Sequence, residues 1–276
     1  MNKIKMLGLD LDGTLFNDER NISSRNLEAI EGAIAQGIIV LPATGRPPKG
    51  IPQEVLSIPG IRYAVTMNGA AVLDLNDNKV LYRDALETEA VIRILEMLMK
   101  YKGLLDVYYY DQCYTTSKGF KLLDTIDLPE NFLKYVKKTR TPVDDLIGLV
   151  KEKNITADKI NMIFPNMSVR NEVMKLLKAD DSLAVTSSVA ANVEINAKNA
   201  NKGEGLRQLG QLLNIKPEEM MACGDADNDY LMIKNVGVGV AMGNAQNSIK
   251  EVADYVTLSN EEAGVAYAIE KFILRH

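Results

Sequence analysis

Two short acidic stretches hold the residue types best suited to chemistry in this chain, Asp10-Leu11-Asp12-Gly13-Thr14-Leu15 and Gly224-Asp225-Ala226-Asp227-Asn228-Asp229. Each follows directly on an apolar run suited to a buried strand, and open α/β sheets bind ligands at the carboxyl ends of their strands. Carboxylates from two adjacent strand ends could not all stay ionised without a cation between them. Ligands that are all oxygen favour Mg2+ over zinc. A calcium loop is the competing reading, but the second stretch lacks the glycine at the sixth position and the glutamate at the twelfth. Thr44-Gly45-Arg46 ends another apolar run and offers a hydroxyl, an unhindered N–H and a guanidinium. Lys202, before Gly203 at a helix start, adds a point charge beside that helix's own N–H donors. The two suit a phosphoryl group.

The elements that must position these residues can be read from hydrophobic period. Residues 3–9, 38–43 and 63–67 read as strands, and a helix over 24–36 is capped by Ser23 or Ser24. Residues 71–82 read as a hairpin turning at Asn76-Asp77-Asn78. Repeated βα units of this kind predict a doubly wound parallel sheet, Rossmann-like and of the α/β class. The middle of the chain mixes paired strands and helices: a helix over 87–101, a hairpin over 105–116, strands near 159–164, 183–187 and 193–196, and helices near 144–152 and 169–177. Residues 127–140 read as polar and irregular. The βα alternation returns after Asn201, with strands at 220–223 and 236–240 and a closing helix over 262–272. The expected organisation is therefore a catalytic core of 1–83 and 197–276 with an α+β domain inserted over 84–196.

Composition excludes several classes. A net charge of −5 argues against a nucleic-acid binder. The only histidine is the last residue, His276, which argues against chemistry that depends on a histidine. Cys113 and Cys223 form neither a zinc pattern nor a disulfide framework and read as plain thiols. The N-terminus lacks a signal-peptide stretch, and no apolar run of about 18 residues could span a bilayer. A cytoplasmic protein without membrane contact is expected, and a monomer, since no long exposed apolar stripe is evident. Gly237-Val238-Gly239 through Gly243 is a decoy for a dinucleotide fingerprint: its last glycine comes one position late.

Taken together, Asp10-Leu11-Asp12-Gly13-Thr14, Thr44-Gly45-Arg46, Lys202-Gly203 and Gly224-Asp225 with Asn228-Asp229 resemble the haloacid dehalogenase-like superfamily, in its Cof-like group of phosphatases with a large α/β cap. Asn68-Gly69-Ala70 and the stretch from Gly239 to Ala245 are similar to that group as well. One departure is Asn199-Ala200, where the group often has Gly-Val. The resemblance implies a Mg2+-dependent phosphatase in which Asp10 is the nucleophile, and Asp12 protonates the leaving oxygen and then activates water. It implies Mg2+ held by Asp10, the Asp12 carbonyl, Asp225 and Asp229, with the phosphoryl group held by Leu11, Thr44, Gly45, Arg46, Lys202 and Asn228. Substrates would be small phosphorylated metabolites, sugar phosphates first and phosphorylated cofactors second, with specificity set by the cap. A phosphomutase on the same core and a phosphate-ligand binding module are the alternatives.

Overall fold

The computed structural model describes residues 3–125 and 130–274. His276 and positions 127–129 of the stretch read as irregular lie outside the described residues. The chain divides into two compact units, Met1–Arg83 with Asn201–His276 and Asp84–Ala200.

The first unit is built on a five-stranded parallel sheet in the order Tyr255–Val256, Val238–Ala241, Met220–Gly224, Met6–Leu9, Ile39–Pro42. Met6–Leu9, Met220–Gly224 and Val238–Ala241 are buried at every position. That is why they read as unbroken apolar runs and not as alternating patterns. The α/β expectation holds. The helix Ser24–Ala35 is capped by Ser23, whose hydroxyl accepts from the Asn26 N–H at 3.2 Å. It packs on the closing helix Gly264–Ile269.

The strand read over 63–67 is present as Tyr63–Thr66, and its main pairing lies outside the parallel sheet. Tyr63–Thr66 does not continue the parallel sheet; it opens a three-stranded antiparallel sheet with Ala71–Asp74 and Lys79–Arg83. A parallel bridge between Ala43 and Val65, with the Thr44 N–H donating to the Val65 carbonyl at 2.8 Å, ties it to the core strands. The cause is local. Met67, Asn68 and Gly69 all take left-handed backbone, with φ of 52°, 58° and 96°, and turn the chain back on itself.

The second unit holds a six-stranded sheet in the order Leu183–Thr186, Asn192–Ala197, Lys159–Ile163, Leu104–Tyr109, Gln112–Thr116, Thr141–Val143, antiparallel except for the last pair. Residues 130–139, expected to be irregular, form the helix Glu130–Thr139. Leu133 and Val136, three apart, meet Leu104 and Ile163. The tertiary contact settles a segment whose many charges hid its period. One sheet face carries buried polar side chains. Arg140 donates to Asp106 at 3.2 Å and to the Tyr108 hydroxyl at 2.5 Å, and Lys159 donates to Glu194 at 2.8 Å. In the tyrosine run, Tyr108 is buried and Tyr110 is 48% exposed. Among the described residues no helix is long and apolar enough to cross a membrane.

Candidate active site

The register of the parallel sheet assembles the site. Leu9 pairs with Cys223 on one side and Pro42 on the other, so the three strands end together. The next residues, Asp10, Gly224-Asp225 and Ala43-Thr44, leave the sheet along one edge. The Asp10 N–H still donates to the Cys223 carbonyl at 3.1 Å, and the Ala43 N–H to the Leu9 carbonyl at 2.7 Å.

Asp10, Asp225 and Asp229 each present a carboxylate oxygen within 4.8 Å of the others. Lys202, fully buried, donates from Nζ to Asp10 Oδ1 at 2.6 Å and to Asp229 Oδ1 at 2.7 Å. The second Asp229 oxygen accepts from the Asp225 and Ala226 N–H groups at 3.0 and 3.1 Å, which folds the acidic loop around it. Thr14 donates its hydroxyl to Asp225 Oδ1 at 2.8 Å. Burial pushes the Asp10 carboxyl well above its usual range, with Asp229 and Asp225 adding to the rise and Lys202 opposing it. Asp225 is pushed up to about 6, by burial first and Asp229 second. Burial alone would lower the Lys202 pKa, but Asp10 and Asp229 outweigh it and raise it, so the ammonium stays charged.

Asp12 sits apart from this cluster. Its side chain is 52% exposed, and Arg46 grips both oxygens, at 2.8 Å from Nε and 2.5 Å from a terminal nitrogen. The atoms packed around Asp12 push its pKa up, but Arg46 outweighs them and leaves it below the usual carboxylate range. Arg46 also reaches the Gly50 carbonyl. The Thr44 hydroxyl accepts from the Arg46 N–H at 3.2 Å, which leaves its own hydrogen to donate. Leu11 buries its side chain in the core, and its carbonyl accepts from the Thr14 and Phe16 N–H groups. Its N–H is the one group it could offer a ligand. Asn228 donates to the Asn68 side chain at 3.1 Å, and the Asn68 N–H donates to the Thr44 carbonyl at 3.1 Å, so the second acidic loop is tied to the threonine loop through Asn68.

Sequence reasoning left Thr14 without a role and treated Asn68 only as part of a motif. Their signal was present in the adjacency of Thr14 to Gly13 and in Asn68-Gly69, a pair suited to left-handed backbone. Gly13 has φ +83°, and a Cβ there would meet Asp225 Oδ2 at 2.5 Å. At Gly69, φ +96°, a Cβ would lie 1.9 Å from the Asn201 carbonyl oxygen, so the turn presses directly on the start of the Lys202–Leu213 helix. Cys113 and Cys223 are both buried free thiols, and burial pushes the Cys223 thiol up to about 12. Neither is placed for chemistry.

Comparison with known proteins agrees with this geometry. The haloacid dehalogenase-like hydrolase family matches residues 7–269. A 5-amino-6-(5-phospho-D-ribitylamino)uracil phosphatase of Bacillus subtilis (strain 168) is 33% identical over 271 residues, covering 98% of this chain and 96% of its own. A phosphatase of the same organism, YwpJ, is 30% identical over 288 residues, covering 98% of this chain and all of its own. Among solved structures, a haloacid dehalogenase-like hydrolase from B. subtilis superposes with a TM-score of 0.86 at 28% identity, covering 98% of this chain and 100% of its own. The subclass IIB sugar phosphatase BT4131 superposes at 0.81 with 25% identity, covering 97% and 98%. A match that spans nearly the whole chain, on a core whose strand ends gather these carboxylates and this lysine, places the chain among the haloacid dehalogenase-like hydrolases.

Proposed function

We propose that this hydrolase is a Mg2+-dependent phosphatase of small phosphorylated metabolites, acting through an aspartyl phosphate on Asp10. The observation that carries the reading is the buried Asp10 carboxylate held by Lys202 within reach of Asp225 and Asp229. The donor set fits Mg2+. It is all oxygen, and three carboxylates with one ammonium leave a charge of −2, which one divalent cation neutralises. Asp10, Asp225, Asp229 and the Asp12 carbonyl would hold the ion, which would offset charge on the phosphoryl oxygens.

The chain's own residues do the rest. Asp10 attacks phosphorus. Lys202 neutralises the charge of the arriving group, and the Thr44 hydroxyl and the N–H groups of Leu11 and Gly45 orient its oxygens, while Asn228 steadies that shell through Asn68. With Arg46 on both oxygens, Asp12 is held ionised, the form that activates water. To protonate the leaving oxygen it must give up that pair, and the phosphoryl group offers the Arg46 guanidinium another anion. Pairing with Asp12 and binding phosphate then belong to one cycle for Arg46.

Residues 84–196 serve as the cap that selects the leaving group, a reading supported by the buried polar row on their sheet. Two relatives are named for a phosphoribitylamino compound and for sugar phosphates, which supports a phosphorylated polyol or sugar as substrate. The test is phosphate release from p-nitrophenyl phosphate and a panel of sugar phosphates, with Mg2+ or EDTA, for wild type and Asp10→Asn. Mg2+-dependent release that is lost in the variant is expected. Release that survives in Asp10→Asn rules out the aspartyl phosphate.

A further inference from the structure

Asp10 and Asp12 are two residues apart but are held by different means. Strand pairing and Lys202 fix Asp10. Asp12 lies beyond the strand, is half exposed, and Arg46 grips a side chain that must let go during the cycle proposed above. The loop closes on itself through the Leu15 N–H to the Asp10 carbonyl and the Phe16 N–H to the Leu11 carbonyl, and further contacts tie it to the rest of the unit.

Three asparagines from three separate parts of the first unit do so by gripping the loop through its carbonyl oxygens. Asn244 donates from Nδ2 to the Gly13 carbonyl at 2.8 Å, next to Asp12. Its Oδ1 accepts from the Asn260 N–H at 3.0 Å. Asn260, buried, donates in turn to the Phe16 carbonyl at 3.1 Å and to Asp18 at 3.2 Å. Asn26, also buried, reaches the Leu15 carbonyl at 3.5 Å while its Oδ1 accepts from the Ala266 N–H at 2.9 Å. A carboxamide donates and accepts at once, so each asparagine can hold the loop with one end and its own anchor with the other.

We infer that Asn244, backed by Asn260, is a positioning residue for proton transfer: by fixing the Gly13 peptide it presents Asp12 to the leaving oxygen. The inference rests on the role assigned to Asp12 above. Asn244 touches neither the three-carboxylate cluster nor Lys202 among its hydrogen bonds, so its loss should act on the acid rather than on the nucleophile. It is an exposed side chain, so its replacement leaves the core packing alone.

The acid matters most when the leaving group is a poor one. The test is therefore kcat/KM across a series from p-nitrophenyl phosphate to alkyl phosphates for wild type, Asn244→Ala and Asn244→Asp, with Asp12→Asn as reference. Asn244→Asp keeps the acceptor for the Asn260 N–H but sets an oxygen against the Gly13 carbonyl. Both Asn244 variants are expected to lose roughly tenfold more on the alkyl esters than on the p-nitrophenyl ester. Equal losses across the series, or none, overturn the inference. If Asp12→Asn itself leaves the series unchanged, the role of Asp12 fails and the positioning role falls with it. If Asp12→Asn changes the series and the Asn244 variants do not, the positioning role alone fails.

Discussion

Lys202 shows how much one side chain can carry. Its ammonium, fully buried, answers two carboxylates that are themselves buried. Lys202→Met leaves Asp10 and Asp229 without that partner, and the cost expected for breaking such a pair is about 3–5 kcal/mol. Urea unfolding without added metal measures it, and saturating Mg2+ should recover part of the loss by taking over the counter-charge. A second expectation follows from Asp225. Its pKa is raised from 3.8 to about 6, so in the metal-free protein the stability it contributes is full below the unfolded value and lost as pH rises through about 6. Bound Mg2+ would require the ionised form, so the sign would reverse for the loaded protein. The Mg2+-induced rise in melting temperature should be largest near neutral pH and shrink as pH falls through about 6. The residue types of the candidate site were legible in the sequence because carboxylates after apolar runs leave few readings open. The contacts of Thr14 and Asn68 were not, since the motifs that hold them say nothing of partners 211 and 160 positions away.

At the scale of elements, the strand ends do the positioning and the turns fix how the chain leaves them. Gly69→Ala combines a left-handed backbone with a Cβ 1.9 Å from a backbone oxygen, so a loss of roughly 2–4 kcal/mol is expected. Asn78→Gly, at φ +48° in an exposed hairpin turn, is the control and should stay within about 0.5 kcal/mol of wild type. Thermal or urea unfolding of the two variants checks both. The same turn decides what the sequence left open about the strand read over 63–67, namely how it pairs. Residues 63–67 have the composition of a buried strand in either sheet type, and the left-handed run after them decides for antiparallel pairing with 71–74. The helix Glu130–Thr139 was missed for a related reason. Its apolar contacts are few, and their partners Leu104 and Ile163 lie on strands distant in sequence.

On the scale of the molecule, two units with separate cores predict separable responses. Mg2+ should slow hydrogen exchange in Met6–Leu9 and Met220–Gly224, whose ends carry the site, and leave the sheet of the second unit unchanged. Arg140→Met should do the converse. It leaves Asp106, whose Oδ1 already lacks a partner, buried without its cation, at a cost of about 3–5 kcal/mol that exchange should place in that sheet. The sequence by itself determined the α/β class, the order of the acidic and basic motifs and the strand on which each ends, because burial on both faces imposes apolar runs and strand exits favour polar turns. Only the tertiary structure decided that Lys202 lies between Asp10 and Asp229, that Arg46 holds Asp12, and that three asparagines grip the loop after Asp12. Those pairings depend on strand register and loop closure between residues up to 244 positions apart, and no local pattern of residues encodes such contacts.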